Sequence, residues 1–136
     1  MVAWLSEEWA AAAAGLAGLL PPVPGASGTV SLAVIGVAKR EVHVPWRYLD
    51  GTPVGDLAGV PSDVDLALTL SGPDAVEVIT GEVEPSVAFM RGRLKATGDG
   101  ALLLGFLQST TRESFLTWRQ QVAALAEETS ATHGSN

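Results

Sequence analysis

The stretch from Glu82 to Gln108 constrains the fold of this chain more than any other, because glycines divide it into short elements. Pro85 favours the start of a helix, since proline is well tolerated in a first helical turn, and Gly92 favours its end. The run Arg93–Thr97 is compact and extended, and it predicts a strand. We therefore expect a short helix before Gly92 and a strand after it.

A second glycine break follows this strand. Gly98-Asp99-Gly100 predicts a turn. Asp99 predicts the N-cap of a helix over Ala101–Gln108, because its side chain can accept a hydrogen bond from a backbone N–H of the first turn. The run Ala101–Leu107 is almost wholly apolar. So many apolar side chains between glycine breaks, with few catalytic residue types nearby, indicate the wall of an apolar site.

Elsewhere the chain alternates between helical and strand patterns. Ser6 favours the cap of a first helix, which we expect to end near Leu20, before a group of prolines. Apolar residues at every second position predict three strands, which are Thr29–Val37, Glu41–Leu49 and Val64–Ser71. Two further helices are predicted to run from Gly72 to Gly81 and from a cap at Ser109–Thr111 to about Glu128.

The connections between these elements predict the fold class. The first two strands are joined by a short turn and form a hairpin, with Pro45 marking an edge or a bulge in the second. The segment Asp50–Ser62 is rich in glycine and proline and predicts a long loop with a short extended piece near Val54. We predict one α+β domain over residues 1–136, with helices on one face of a mainly antiparallel sheet and a flexible polar tail at 129–136.

The composition excludes several classes of function. The 136 residues carry a net charge of −7, which repels phosphate backbones, so nucleic acid is not an expected partner. Without cysteine the chain has no disulfide, thiolate nucleophile or thiolate metal site. No apolar run approaches the ~18 residues that span a bilayer, and Glu7 and Glu8 stand where a signal peptide would be basic. We expect a soluble cytoplasmic protein with no stable membrane insertion.

Residue types that carry catalysis or bind metals are few and scattered. His43 is predicted on the polar face of an edge strand, and the two histidines lack a metal-ligand spacing, so we predict no metal site and no cofactor. Asp65 and Asp99 are interpreted as a solvated strand residue and a helix cap. The alternative is an isomerase-like proton transfer on an apolar substrate by Tyr48 and one of these two carboxylates.

A small basic cluster follows the helix that begins at Pro85. Arg91, Arg93 and Lys95 are interpreted as the solvated ends of a helix and a strand. Three cations are a weak signal on an acidic protein, but the alternative is an anchor for an anionic headgroup at a pocket mouth or for a membrane surface.

The last predicted helix carries an apolar stripe, formed by Phe115, Trp118, Val122 and Leu125. Apolar residues at helical spacing usually belong to a core. The alternative is an interaction module, in which this stripe pairs with a second copy of the chain in a homodimer or with a larger enzyme.

The order of motifs from Asp65 to Gln108 resembles that of the sterol carrier protein, or non-specific lipid-transfer, family. The matching motifs are the strand Asp65–Leu70, the helix end at Gly81, Glu84-Pro85, the run Ala88–Lys95 (AFMRGRLK), Gly98-Asp99 and Leu107-Gln108. They cover about a third of the chain closely. The flanking hairpin and terminal helices fit in order and type but not in motif.

This resemblance implies a five-stranded sheet and helices that enclose an apolar tunnel. It also implies non-catalytic binding of fatty acids, fatty acyl-CoA, sterols or phospholipids. In the family the tunnel is lined by the helices that correspond to Pro85–Arg91 and Ala101–Gln108, and it is partly covered by the C-terminal helix. Carried over by position, the wall residues are Phe89, Met90, Leu94, Leu103, Phe106 and Leu107, with Gln108 as the polar group near one end and Phe115 and Trp118 on the covering helix.

Two residues of the preceding short helix, Val76 and Ile79, are predicted to face the core and complete the ligand-binding candidates. We therefore expect a small intracellular carrier, not an enzyme, whose partner is an apolar lipid. Eukaryotic members of the family commonly end in a peroxisomal tripeptide, whereas this chain ends in Gly134-Ser135-Asn136, which favours a bacterial cytoplasm.

Overall fold

The computed structural model describes residues 6–37, 40–55 and 63–134. Within them lie the strands β1 (Gly28–Val37), β2 (Arg40–Leu49), β3 (Thr52–Val54), β4 (Leu66–Ser71) and β5 (Lys95–Gly98). The helices are α1 (Glu7–Gly15), α2 (Gly72–Thr80), α3 (Pro85–Met90), α4 (Gly100–Ser109) and α5 (Glu113–Gly134), and a 3-10 turn at Ala17–Leu19 follows α1. The predicted α+β class is confirmed.

The strands form one five-stranded sheet in the order β3-β2-β1-β4-β5. Three of the four pairings are antiparallel, whereas β1 and β4 run parallel, with Val30 opposite Leu66 and Val34 opposite Leu70. The number of strands implied by the resemblance is confirmed, but the sheet is mixed. Antiparallel pairing follows where a short turn joins two strands. Strand β4 reaches β1 only after β2 and β3, so no turn fixes its direction.

One face of the sheet is buried and the other is only partly exposed, with Thr29, Ser31 and Pro45 buried on it. The alternation predicted for β2 is confirmed, because each of four alternating side chains is at most 2% exposed: Val42, Val44, Trp46 and Tyr48. On the opposite face Glu41 and Arg47 are exposed. The terminal helices α1 and α5 lie on the buried side of the sheet. The Trp9 indole Nε1 on α1 donates a hydrogen bond to the Val122 carbonyl on α5 (3.2 Å).

Among the described residues, Pro45 lies where β2 has a neighbour on one side only. It pairs with Ser31 of β1, while β3 pairs only with Arg47–Leu49. Proline lacks a backbone N–H, so it fits a position that needs no donor on the open side. The predicted edge is therefore confirmed, and the irregularity in the hairpin lies elsewhere, between Val34 and Val37.

The helices that follow β4 and β5 each begin at a residue whose side chain caps the first turn. The Ser71 hydroxyl accepts a hydrogen bond from the Asp74 N–H at the start of α2 (3.3 Å). The Asp99 carboxylate accepts one from the Leu102 N–H at the start of α4 (3.0 Å), as predicted. Gly81 ends α2 with a φ of +91°, a conformation that glycine adopts without steric cost.

Two predicted boundaries are wrong at the ends of the first helix and of β4. Helix α1 ends at Gly15, a residue of low helix propensity, and a 3-10 turn continues the chain towards Leu20. Strand β4 begins at Leu66 and not at Val64. The preceding Asp65 carboxylate accepts a hydrogen bond from the Thr29 N–H (2.8 Å).

The predicted cap of the last helix belongs to the helix before it. The hydroxyls of Ser109, Thr110 and Thr111 donate to the carbonyls three residues earlier, at 2.6, 2.6 and 2.8 Å. They therefore satisfy the carboxyl end of α4, and α5 begins only at Glu113. Helix α5 continues to Gly134, farther than the predicted end near Glu128.

Parts of two other predictions fall outside the described residues. The predicted extended piece near Val54 is strand β3, while residues 56–62 of the long loop lie outside the described part. The same holds for 135–136 at the end of the predicted flexible tail. The extent of the domain and the flexibility of that tail stay predictions.

Gly98 provides a test of the contact between β5 and β4. Its φ is +124°, and a Cβ at this position would overlap the Asp65 carbonyl oxygen. We expect Gly98→Ala to lower the free energy of unfolding by about 2–3 kcal/mol, because strain and a backbone clash add. Gly100→Ala is the matched control, since a Cβ there meets nothing within 4 Å. Urea denaturation measures both, and an equal effect of the two changes would contradict the account.

Candidate ligand-binding cavity

A small apolar cavity of about 40 Å³ lies between the buried face of the sheet and the helices. Strands β1, β2 and β4 form its floor, and α2, α4 and α5 cover it. Every side chain in the wall is aliphatic or aromatic: Leu20, Leu32, Trp46, Leu68, Leu70, Val78, Ile79, Pro85, Leu94, Phe106, Phe115 and Trp118. Such a cavity favours apolar ligands, and its wall has no charged group that could bind an ionic one.

The strand register brings the floor together. Leu32 lies beside Leu68 on the neighbouring strand, and Leu70 follows two residues later on the same face. Trp46 faces the same side from β2, where it is 2% exposed. These positions follow from the period of two along each strand, which directs alternate side chains to one face.

Aromatic rings form much of the cover. The Phe106 ring on α4 packs on Trp46 with a centroid distance of 5.6 Å and a tilt of 42°. On α5, Phe115 packs on Trp118 with a centroid distance of 5.8 Å. Tilted rings at these distances are favourable pairs. All four of these rings border the cavity.

The structure brings five of the eleven predicted ligand-binding residues to the cavity. These are Ile79, Leu94, Phe106, Phe115 and Trp118. They come from four separate parts of the chain, which meet only through the fold. Their contact with a bound molecule stays a prediction.

The other six predicted residues lie away from this cavity. Met90 is 82% exposed, and Gln108 is exposed at the end of α4. The remaining four are only half-buried against the core: Val76, Phe89, Leu103 and Leu107. Met90 is exposed because Pro85 and Ala88 form the buried face of the short helix α3, and Met90 lies on its other face. The predicted polar end at Gln108 does not border the cavity.

Seven wall residues were not among the predicted ligand-binding residues. They are Leu20, Leu32, Trp46, Leu68, Leu70, Val78 and Pro85. The strand alternation already placed Trp46, Leu68 and Leu70 on the inner face. Alternation identifies a buried face, but it cannot distinguish side chains that touch one another from side chains that border a gap.

Three buried polar atoms near this region have no hydrogen-bond partner among the described residues: Trp46 Nε1, Trp118 Nε1 and Tyr48 Oη. Burial raises the pKa of Tyr48 to about 12, and the Trp46 side chain, which lies near the phenol but outside hydrogen-bond geometry, acts in the opposite direction. The phenol is therefore protonated at neutral pH. Buried polar groups without partners cost free energy, so the core is less stable here than an all-apolar one.

The carboxylates proposed for the isomerase alternative are occupied elsewhere. Asp65 accepts from the Thr29 N–H, and Asp99 caps α4. Neither forms a hydrogen bond to Tyr48, whose hydroxyl has no described partner. The arrangement gives no proton-transfer pair at the cavity.

The remaining candidate groups sit on the surface. His43 Nε2 lies 2.9 Å from a Glu41 carboxylate oxygen. Arg93 pairs with Glu77 at 3.1 Å and Asp74 at 3.6 Å. In the described part of the chain, no three His, Asp or Glu side chains are placed to share a metal ion. These contacts fit the interpretation of solvated charges.

The cavity is much smaller than a lipid. Pockets for small molecules typically occupy about 300–1,000 Å³, against about 40 Å³ here. The predicted tunnel is therefore not seen among the described residues, and what lies in its place is a small gap under aromatic rings.

Within the described residues, none of the helices has both the length and the apolar character needed to cross a bilayer.

Comparison with known proteins adds independent information. A family model described as the SCP-2 sterol transfer family matches residues 33–108, which is more than half of the chain. No curated protein matches the sequence. The matched span runs from within β1 to α4 and contains eight of the twelve wall residues. The four that lie outside it are Leu20, Leu32, Phe115 and Trp118.

Two solved structures share the fold. The solution structure of a conserved hypothetical protein from Thermus thermophilus, described as possibly a sterol carrier protein, is 22% identical, with a TM-score of 0.64 over 86% of this chain and 87% of that chain. The crystal structure of a sterol carrier protein 2 is also 22% identical, with a TM-score of 0.60 over 84% of this chain and 95% of that chain. At this level of identity the likeness concerns the fold.

Tyr48→Phe tests the unpartnered phenol. Removing a buried hydroxyl that has no hydrogen-bond partner among the described residues should leave the stability at pH 7 unchanged or raise it by about 1 kcal/mol. At high pH the tyrosine of the unfolded chain ionises near its ordinary pKa of 10.0, whereas the folded state holds the proton up to a pKa of about 12. The original protein should therefore lose up to about 3 kcal/mol as the pH rises from 10 to 12.

The variant should lack this tyrosine-dependent loss. Urea denaturation at pH 7, 10 and 11.5 measures the difference between the two proteins. A variant that is clearly less stable at pH 7 would show that the hydroxyl has a partner, contrary to the structure.

Proposed function

The chain belongs to the SCP-2 sterol transfer family, and on this basis we propose that it is a non-catalytic carrier that binds a lipid in an enlarged form of the apolar cavity. The ligand classes we propose are fatty acids, fatty acyl-CoA and sterols. The observation that carries the proposal is the composition of the wall, in which every side chain is aliphatic or aromatic and eight of the twelve lie within the family-matched residues.

Binding requires the cover to separate from the floor. The contacts that hold it include the Phe106–Trp46 pair between α4 and β2. Only a turn between Ser109 and Glu113 joins α4 to α5, so the two helices can move together as one cover. Displacing Phe106 and Trp118 would expose Trp46 and Leu68 below them to the ligand.

The energetics allow this opening. Roughly ten buried methylenes contribute about 8 kcal/mol. Association and ordering of the chain remove several kcal/mol. The ligand replaces the lost contacts between rings and floor with contacts of the same apolar kind, so the opening costs less than exposure of those rings to water would.

The distribution of charge supports binding over catalysis. The carboxylates of Asp65 and Asp99 are exposed, do not border the cavity and bond to backbone N–H groups. The pKa of Tyr48, raised to about 12, makes its phenol a poor acid or base at neutral pH. The alternative of an interaction module is weakened as well, because Phe115, Trp118 and Val122 are buried within the chain's own core. The cytoplasmic location and a homodimer stay predictions.

Filling the cavity should block binding. Leu94 is 4% exposed and borders the cavity, whereas Leu104 is 63% exposed on α4. We expect Leu94→Phe to weaken the saturable binding of a fluorescent fatty acid at least tenfold, because the larger ring occupies the space that the chain must enter. Leu104→Phe makes the same chemical change on the surface and should change the affinity less than twofold.

Fluorescence titration measures the affinity of both variants for the fatty acid. Circular dichroism checks that each variant remains folded, because overpacking a core costs about 1–3 kcal/mol. Native mass spectrometry of the original protein should show a one-to-one complex with an added fatty acid. The proposal fails if the original protein takes up no lipid, or if the two phenylalanine variants bind equally well.

A further inference from the structure

A surface groove of about 200 Å³ lies next to the cavity, between α2 and α5. Its walls are formed by Ile79 and Thr80 on α2 and, on α5, by Leu116, Arg119, Gln120 and Ala123. Ile79 therefore borders both an apolar interior and a surface groove that contains a cation.

Arg119 is unusually buried for a charged residue whose ion-pair partner, Glu84, is half exposed and 3.5 Å away. It is 8% exposed, and its guanidinium carbon lies 5.5 Å from the centroid of the Phe115 ring. Phe115 in turn borders the cavity. The cation thus packs on the outer face of an aromatic side chain that lines the proposed lipid site.

The hydrogen bonds of Arg119 are weak. Among the described residues its side chain donates to the Val78 carbonyl and to a Glu84 carboxylate oxygen, both from Nη1 and both at 3.5 Å. Charge-assisted bonds of this kind are usually about 2.7–2.9 Å long, and a guanidinium has five N–H donors in a planar fork. Most of its capacity to bind an anion is unused in these contacts.

A purely structural role explains part of this arrangement. A cation near the carboxyl end of α2 is favourable because the last carbonyls carry partial negative charge. Gly81 leaves room for it, since a Cβ there would lie 3.3 Å from Arg119 Nη2. However, a helix-end contact does not require a groove beside the cation, and the groove leaves the other N–H groups of Arg119 accessible to an anion.

We propose that Arg119 anchors the carboxylate of a fatty-acid-like amphiphile in this groove, with the hydrocarbon chain passing Ile79 into the cavity. The inference rests on the proposed function and names the polar half of its ligand. A carboxylate matches the planar fork of a guanidinium and can accept two parallel hydrogen bonds from it. The basic cluster considered from the sequence is less suited to this role, because Arg93 already pairs with Glu77 and Asp74 on the surface.

Glu84 is expected to compete with the ligand. Its carboxylate is about half exposed (52%) and lies 3.5 Å from Arg119. It occupies the N-cap position of α3, but its side chain makes no capping hydrogen bond. Neutralising it should therefore leave α3 intact and make Arg119 more available to an added carboxylate.

The test compares decanoate with 1-decanol, which share a chain and differ in the charge of the head, by calorimetric titration of the full chain. Arg119→Gln should weaken decanoate binding at least tenfold and 1-decanol binding less than twofold. Glu84→Gln should tighten decanoate binding two- to fivefold and leave 1-decanol binding unchanged. Arg93→Gln is the matched control, with no effect on either ligand.

The outcomes separate this inference from the proposed function. If Arg119→Gln changes both affinities equally, or leaves that of decanoate unchanged, Arg119 is not the anchor although the carrier function stands. If Arg119→Gln does not fold, Glu84→Gln decides, and an unchanged decanoate affinity overturns the inference. If the original protein binds neither molecule, both proposals fail.

Discussion

The structure depends on burial of one face of the mixed sheet. Side chains from β1, β2 and β4 alternate so that one set points to the helices, and its members are almost fully buried. Burial of each large apolar side chain contributes roughly 1.5–3 kcal/mol. Helices α1 and α5, tied by the Trp9–Val122 hydrogen bond, and helix α2 cover this face. The cavity lies where aromatic rings cover aliphatic strands without filling the space between.

The same sequence features explain which parts of the fold were predictable. Glycine and capping residues act locally, so the helix–strand–helix unit around Gly92 and Asp99 and the cap of α4 followed from neighbouring residues. Alternation gave the buried face of β2. The parallel pairing of β1 with β4 did not follow, because it depends on a chain crossing between distant segments. The hydroxyls at 109–111 are predicted to cap α5, but they donate to carbonyls of α4, because serine and threonine can serve either end of a helix.

The candidate site was predictable only in part, for a related reason. Resemblance and pattern identified Ile79, Leu94, Phe106, Phe115 and Trp118, which do border the cavity. They also included Met90 and Gln108, which the phase of the helices turns to solvent. Position along a motif does not fix which side of a short helix faces inward. Arg119 was missed because its environment is made by α2 and α3, far away in sequence, and no local signal marks it.

The central claim is that a lipid chain occupies the space between the strands and the aromatic cover. The most direct measurement is an NMR experiment on the protein with carbon-13-labelled palmitate, in which nuclear Overhauser effects report contacts between ligand methylenes and protein protons. The account predicts contacts to the methyl groups of Leu68 and Leu94 and to the indole protons of Trp46 and Trp118. Contacts confined to exposed side chains such as Met90 and Leu104, or none at all, would contradict it.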